Sequence, residues 1–148
     1  MQRRTLLQGA LGALLLPFGS ARAAEQIIDV YKSATCGCCH LWVEHLRKSG
    51  FKVNAHDVAN PSEYRKKFGV PDAFGSCHTG TIAGYALEGH VPAQDIRRLL
   101  AERPKAIGLA VPGMPLGSPG MEADRKDAFD VLLIQPDGGH KVYHHYAA

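Results

Sequence analysis

Apolar and polar positions along this chain change period several times, and each change marks an element. Ile27-Ile28-Asp29-Val30-Tyr31 is β-branched and aromatic and predicts a buried strand running on through Lys32 to Thr35. From Cys38 the spacing turns helical, with Leu41, Trp42, His45 and Leu46 expected on one face and Gly50 as the stop. Phe51 to Val58 alternates as a second strand. Asn60 and Pro61 form a cap and first-turn pair that opens a short helix to Phe68, and Gly69 closes it.

Beyond a loop through Pro71 and Gly75, Thr79 to Leu87 reads as one strand, weakened or bent at Gly80 and Gly84. Pro92 to Arg103 predicts an amphipathic helix with Ile96, Leu99 and Leu100 as its apolar stripe. Ile107 to Gly120 carries four glycines and three prolines and is expected to be a shaped loop. Phe129 to Ile134 and Lys141 to Tyr143 flank Pro136-Asp137-Gly138-Gly139, which is a hairpin signal. The order is β-α-β-α-β-α followed by a β-hairpin, an α/β pattern with a central mixed sheet and flanking helices.

The N-terminal 23 residues break this pattern. Arg3 and Arg4, an apolar run from Leu11 to Phe18, and Ala21-Arg22-Ala23 have the layout of an export signal, with the mature chain expected to begin near Ala24. The run is too short, and too interrupted by Gly9, Gly12 and Pro17, to serve as a retained membrane span. Arg3-Arg4-Thr5-Leu6-Leu7 also loosely fits a twin-arginine signal, so export by the Sec or the twin-arginine route is expected, to the periplasm. The remaining domain is residues 24–148, of ordinary size for one core without disulfide support.

Charge then changes meaning. Of the 17 basic side chains, Arg3, Arg4 and Arg22 leave with the signal, so 14 face 14 acidic ones. A balanced mature chain gives no reason to propose nucleic acid or an anionic membrane as partner. Eight histidines, all beyond the signal, are the more notable polar enrichment.

The chemistry concentrates in four cysteines: Cys36, Cys38 and Cys39 within four residues, and Cys77 beside His78. A strand feeding a helix through Cys36-Gly37-Cys38-Cys39 puts the thiols at a helix N-terminus, where free backbone N–H groups and the dipole favour thiolate. That strand-Cys-x-x-Cys-helix layout is the active-site geometry of thioredoxin-like folds, with Cys36 and Cys39 in the redox positions. In such folds the loop before the third core strand lies against the motif, which would set Cys77 opposite the other three. A Cys₄ zinc cage needs four separate ligands, which adjacent Cys38 and Cys39 supply poorly. Copper(I) suits crowded thiolates that bridge several ions, and iron–sulfur ligation stays open although the spacing matches no ferredoxin pattern.

Plainer readings stand beside these. Cys36–Cys39 could be a structural disulfide with two idle thiols. His78 is either a ligand or a hydrogen-bonding neighbour of one, and His40 is either at the surface or at the metal. His90 is assigned a structural or capping role at the start of the last helix, Trp42 packing beneath the cysteines, and His140, His144 and His145 solvated places on the hairpin. Met114 and Met121 are soft donors or core fillers.

Thr35-Cys36-Gly37-Cys38-Cys39 with Trp42, Gly75-Ser76-Cys77-His78-Thr79, Gly89-His90-Val91-Pro92, and Gly108 to Pro115 leading to Gly117-Ser118-Pro119-Gly120-Met121-Glu122 together make the chain resemble the CopG-like periplasmic copper-resistance proteins. The resemblance covers nearly the whole mature chain. It implies a thioredoxin-like fold and a site of Cys36, Cys38, Cys39 and Cys77, with His78 as a further candidate. It also implies copper as the ion, held as Cu(I) with more than one ion per chain, and a role in copper tolerance with interconversion of Cu(I) and Cu(II). Other periplasmic copper-handling proteins would be partners. The alternative is a metal-free thiol-disulfide oxidoreductase in which Cys36 attacks and Cys39 resolves, for which Cys38 and Cys77 are unnecessary.

Overall fold

The structure is a computed structural model that describes residues 26–148. The expected export signal lies outside the described residues. Seven strands and three α-helices follow in the order β1 (Ile27–Lys32), α1 (Gly37–Lys48), β2 (Lys52–Asp57), α2 (Pro61–Lys67), a single 3₁₀ turn (Asp72–Phe74), β3 (His78–Ile82), β4 (Tyr85–Gly89), α3 (Ala93–Glu102), β5 (Gly108–Val111), β6 (Phe129–Ile134) and β7 (His140–Tyr146). They form one mixed sheet in the order β2-β1-β3-β4-β5-β6-β7, so strands from both ends of the described chain share it. β1–β2 and β4–β5 are parallel; the other neighbours are antiparallel. The α/β class, the mixed sheet with flanking helices and the terminal hairpin are as the sequence pattern predicts. Among the described residues no helix is long and apolar enough to cross a membrane.

One face of the sheet carries the core. Ile28 and Val30 of β1, Leu87 of β4, and Leu109 and Val111 of β5 pack with Trp42, Val43 and Leu46 of α1 and with Ile96 and Leu99 of α3. The α1 stripe is therefore Cys39, Trp42, Val43 and Leu46, at the i, i+3, i+4, i+7 spacing of a buried helical face. Leu41, expected on that face, is 51% exposed. β2, at the sheet edge, keeps most of its side chains in solvent.

Two expectations are corrected. Thr79 to Leu87 is two strands, turned back through Ala83 and Gly84, both at positive φ (50° and 84°). Two successive left-handed residues make the tight turn whose twist suits a hairpin. Ile107 to Gly120 is only partly a loop, because Gly108–Val111 forms β5, buried along its whole length. β5 is shielded by β4 on one side and β6 on the other, so it shows no alternation, and its flanking glycines and prolines hide it.

Candidate metal centre

β1 leaves the sheet at Lys32, turns through Ser33 to Thr35, and enters α1 with Cys36 as N-cap, its Sγ accepting from the Cys39 N–H at 3.3 Å. This puts Cys36, Cys38 and Cys39 on the first turn of one helix. Cys77 arrives from the opposite side, at the end of the loop into β3. The four Sγ atoms all lie within 4.8 Å of one another. Cys36 and Cys39 are joined as a disulfide, and Cys38 and Cys77 are free thiols. Cys38 Sγ sits 3.5 Å from Cys36 Sγ and 3.8 Å from Cys77 Sγ, between the disulfide and the opposing loop.

The Cys77 loop is held by a buried carboxylate. Glu88 on β4, fully buried, accepts from the Ser76 N–H at 2.7 Å and from the Thr79 hydroxyl at 2.6 Å, bracketing Cys77-His78 on both sides. Arg65 of α2 approaches the same carboxylate at 3.5 Å. Burial pushes the Glu88 carboxyl up from its ordinary range, against the pull of Thr79, Ser76 and Arg65. The loop between β5 and β6 closes a second side: the Ser76 hydroxyl donates to the Gly113 carbonyl, and the Gly113 N–H to the Gly75 carbonyl. Gly120 in that loop has φ +88, and a Cβ there would lie 2.7 Å from the Cys38 carbonyl, so only glycine lets the strap reach the first turn of α1.

Two fully buried histidines complete the surroundings. His78 Nε2 lies 2.9 Å from the Gly89 carbonyl and its Nδ1 3.3 Å from Cys77 Sγ. His90 Nδ1 lies 2.7 Å from the Pro119 carbonyl and its Nε2 3.2 Å from Cys77 Sγ. Burial, helped by the neighbouring His90, lowers the His78 pKa to about 3, and burial lowers that of His90 as well, so both rings are neutral. The Cys77 thiol is pushed up to about 12, by burial first and then by Cys38. The thiolate-favouring field expected at the helix N-terminus thus does not govern Cys77, which sits off the helix.

His90 is the residue sequence reasoning missed. It does not cap α3: the Ala93 N–H donates to His45 Nε2 at 3.1 Å, and His90 faces the sulfurs. What brings it there is the β3–β4 turn at Ala83-Gly84, which sets Thr79 opposite Glu88 and so returns the segment after Gly89 to Cys77. Trp42 does pack beneath the site, its indole N–H donating to the Val91 carbonyl at 2.9 Å and its ring 4.3 Å from that of His78. His40 is exposed, 3.3 Å from the ammonium of Lys32, which is itself buried and paired with Asp57. Met114 is 52% exposed beside Gly113. The hairpin histidines lie elsewhere, His144 on Asp95 and His145 on Asp130.

The arrangement offers four sulfur donors when reduced, and two thiols when Cys36 and Cys39 are paired. Soft thiolates packed this closely suit a soft ion that tolerates bridging.

A family model described as a protein of unknown function, DUF411, matches residues 74–121, a span that includes Cys77, His78 and His90. No curated protein matches significantly. Two solved structures of copper resistance protein copG, Form 1 and Form 2, each match with 50% identity and a TM-score of 0.78, covering 82% of this chain and 98% of the other. With half its residues identical over nearly the full length of that protein, the chain belongs to the CopG family of copper resistance proteins.

Proposed function

We propose that this protein serves copper resistance by holding copper(I) in a thiolate cluster of Cys36, Cys38, Cys39 and Cys77, with more than one ion per chain. The observation that carries the reading is the convergence of the four sulfurs within 4.8 Å from two separate segments. Donors so close together cannot each belong to a separate ion, but sulfurs that bridge let several copper(I) ions share them. His78 stands at the edge of this cluster as a further donor. The domain, residues 24–148, is read as thioredoxin-like and exported to the periplasm by the Sec or twin-arginine route, where other copper-handling proteins would deliver or accept the ion.

The Cys36–Cys39 disulfide ties copper binding to electron transfer. Two electrons and two protons convert it to two thiols and complete the set of four. In the reverse direction two thiolates become a disulfide, and two copper(II) ions become two copper(I) ions. This balance supports interconversion of the two copper states at one site. Anaerobic titration of fully reduced protein with copper(I), counting bound metal and free thiols, tests the reading: more than one copper per chain is expected, and no or weak binding would overturn it.

A second reading is favoured by the same disulfide at the start of α1: a metal-free thiol-disulfide oxidoreductase in which Cys36 attacks and buried Cys39 resolves. It leaves Cys38 and Cys77 without a task.

A further inference from the structure

We propose that His45 of α1 is an acid-sensitive latch. Neutral, it caps α3; protonated, it turns to Glu122 and loosens the β5–β6 strap where that strap lies on the first turn of α1. The inference does not depend on which ion the cysteines hold.

The latch begins with a missing cap. α3 opens at Pro92, whose side chain has no acceptor for the first free N–H groups of the helix. His45 supplies one from another element, because the Ala93 N–H donates to its Nε2 at 3.1 Å. A backbone N–H can only donate, so this nitrogen keeps its lone pair and the ring hydrogen sits on Nδ1. A second proton goes to Nε2 and sets two N–H groups face to face. The bond is lost, and the imidazolium then stands at the positive end of a helix dipole.

Charges around the ring decide where it goes. Arg97 of α3 lines one cleft beside His45 and repels the charged ring. Glu44 and Lys48 flank it on α1 with opposite signs. Tyr146 gives its hydroxyl to Asp95, and burial keeps His90 neutral. Glu122 faces it from the strap, its carboxyl pKa lowered chiefly by the Gly120 N–H it accepts. On that side a cleft of about 280 Å³, lined by Leu41, Glu44, His45, Lys48, Ser49 and Glu122, leaves room. Rotation of the side chain therefore carries the ring from the α3 N-terminus toward Glu122 without unfolding either helix.

Glu122 is also what ties the strap. Its Oε1 accepts from the Gly120 N–H at 2.9 Å. Gly120 lies so close to α1 that a Cβ there would be 2.7 Å from the Cys38 carbonyl and 2.9 Å from the Trp42 nitrogen. A carboxylate drawn to charged His45 releases Gly120, so one proton undoes two ties. Burial, opposed by Glu122 and aided by Arg97, holds the His45 pKa below the ordinary 6.5. The latch is therefore closed at neutral pH and opens as pH falls through that lowered value.

The test follows imidazole NMR signals and amide hydrogen exchange in the disulfide form of the whole protein, from about pH 7.5 to about pH 4, a range that spans histidine titration. In wild type the Ala93 and Gly120 amides, corrected for intrinsic exchange, are expected to be protected at neutral pH. Their protection should fall about 5-fold or more as the His45 ring protonates, the effect of one lost helix cap. His45→Gln keeps an oxygen for Ala93 and does not titrate, so both amides are expected to stay protected in acid. Glu122→Gln, which carries no charge to draw the ring, is expected to release Ala93 in acid without an acid-dependent change at Gly120. Wild-type protection that ignores the His45 titration, an equal acid loss in His45→Gln, or release of Ala93 without Gly120 in wild type would overturn the proposal. Should a variant fail to fold, coincidence of the wild-type amide and imidazole titration curves still decides.

Discussion

The site around Cys77 and the terminal hairpin both present histidines, and they use them in opposite ways. On the hairpin, His144 Nδ1 lies 2.7 Å from Asp95 and His145 Nδ1 lies 2.6 Å from Asp130, so each ring is matched by a carboxylate that takes its hydrogen. Asp95, itself buried, also accepts from the Tyr146 hydroxyl at 2.6 Å, which fastens β7 to α3. At the site, His78 and His90 give their hydrogens to backbone carbonyls, and the remaining nitrogens meet at one sulfur. A count of histidines could not tell the two apart. What separates them is the partner: a carboxylate on the hairpin, a backbone carbonyl and one shared sulfur at the site.

The sharpest way to break the comparison is to remove the atom on which the site converges. Cys77→Ser is expected to weaken copper(I) binding by more than about 100-fold, beyond what loss of a supporting residue causes, while any insulin-reducing activity through Cys36 and Cys39 stays near wild type. Copper stoichiometry measured on the reduced variant checks this, and an unchanged value would take Cys77 out of the site.

A paired substitution comes next in size. His144→Ala is expected to cost about 1–3 kcal/mol, because buried Asp95 loses one of its donors, with copper binding unaltered. His90→Ala should lower metal affinity and touch the hairpin not at all. Urea melts and copper titrations on both variants give the answer; a copper defect in His144→Ala would show that the two regions are not independent.

The last effect is in pH. In metal-free protein the His78 pKa is lowered to about 3 from the ordinary 6.5. Its folded value lies below its unfolded one, so the unfolded chain binds more protons in that window. The stabilisation is whole above pH 6.5 and is lost as pH falls toward 3, with a slope of at most about 1.4 kcal/mol per pH unit. Stability measured across pH 7 to 4 in wild type and His78→Gln should show a shallower acid loss in the variant; equal slopes would assign the loss to other groups.

How much of this was legible in the sequence depended on where each signal resided. Asn60-Pro61, the Ile96 and Leu99 stripe, and Pro136 to Gly139 are local statements, and the helices and hairpin they predict are present. β5 was not legible, because Gly108-Leu109-Ala110-Val111 becomes a strand only through β4 and β6 on either side. The approach of Cys77 to the other cysteines could be argued from the strand-Cys-helix layout alone. His90 could not be placed that way. Its position depends on a turn at Ala83-Gly84, where alanine adopts a left-handed conformation that its side chain does not advertise.

Trp42 gives the molecule an optical consequence. It is the only tryptophan in the chain, and its ring lies 4.3 Å from that of His78. Its emission therefore comes from one place, directly under the sulfurs and imidazoles. A metal ion arriving above it is expected to quench that fluorescence, so site occupancy can be followed in real time without a label.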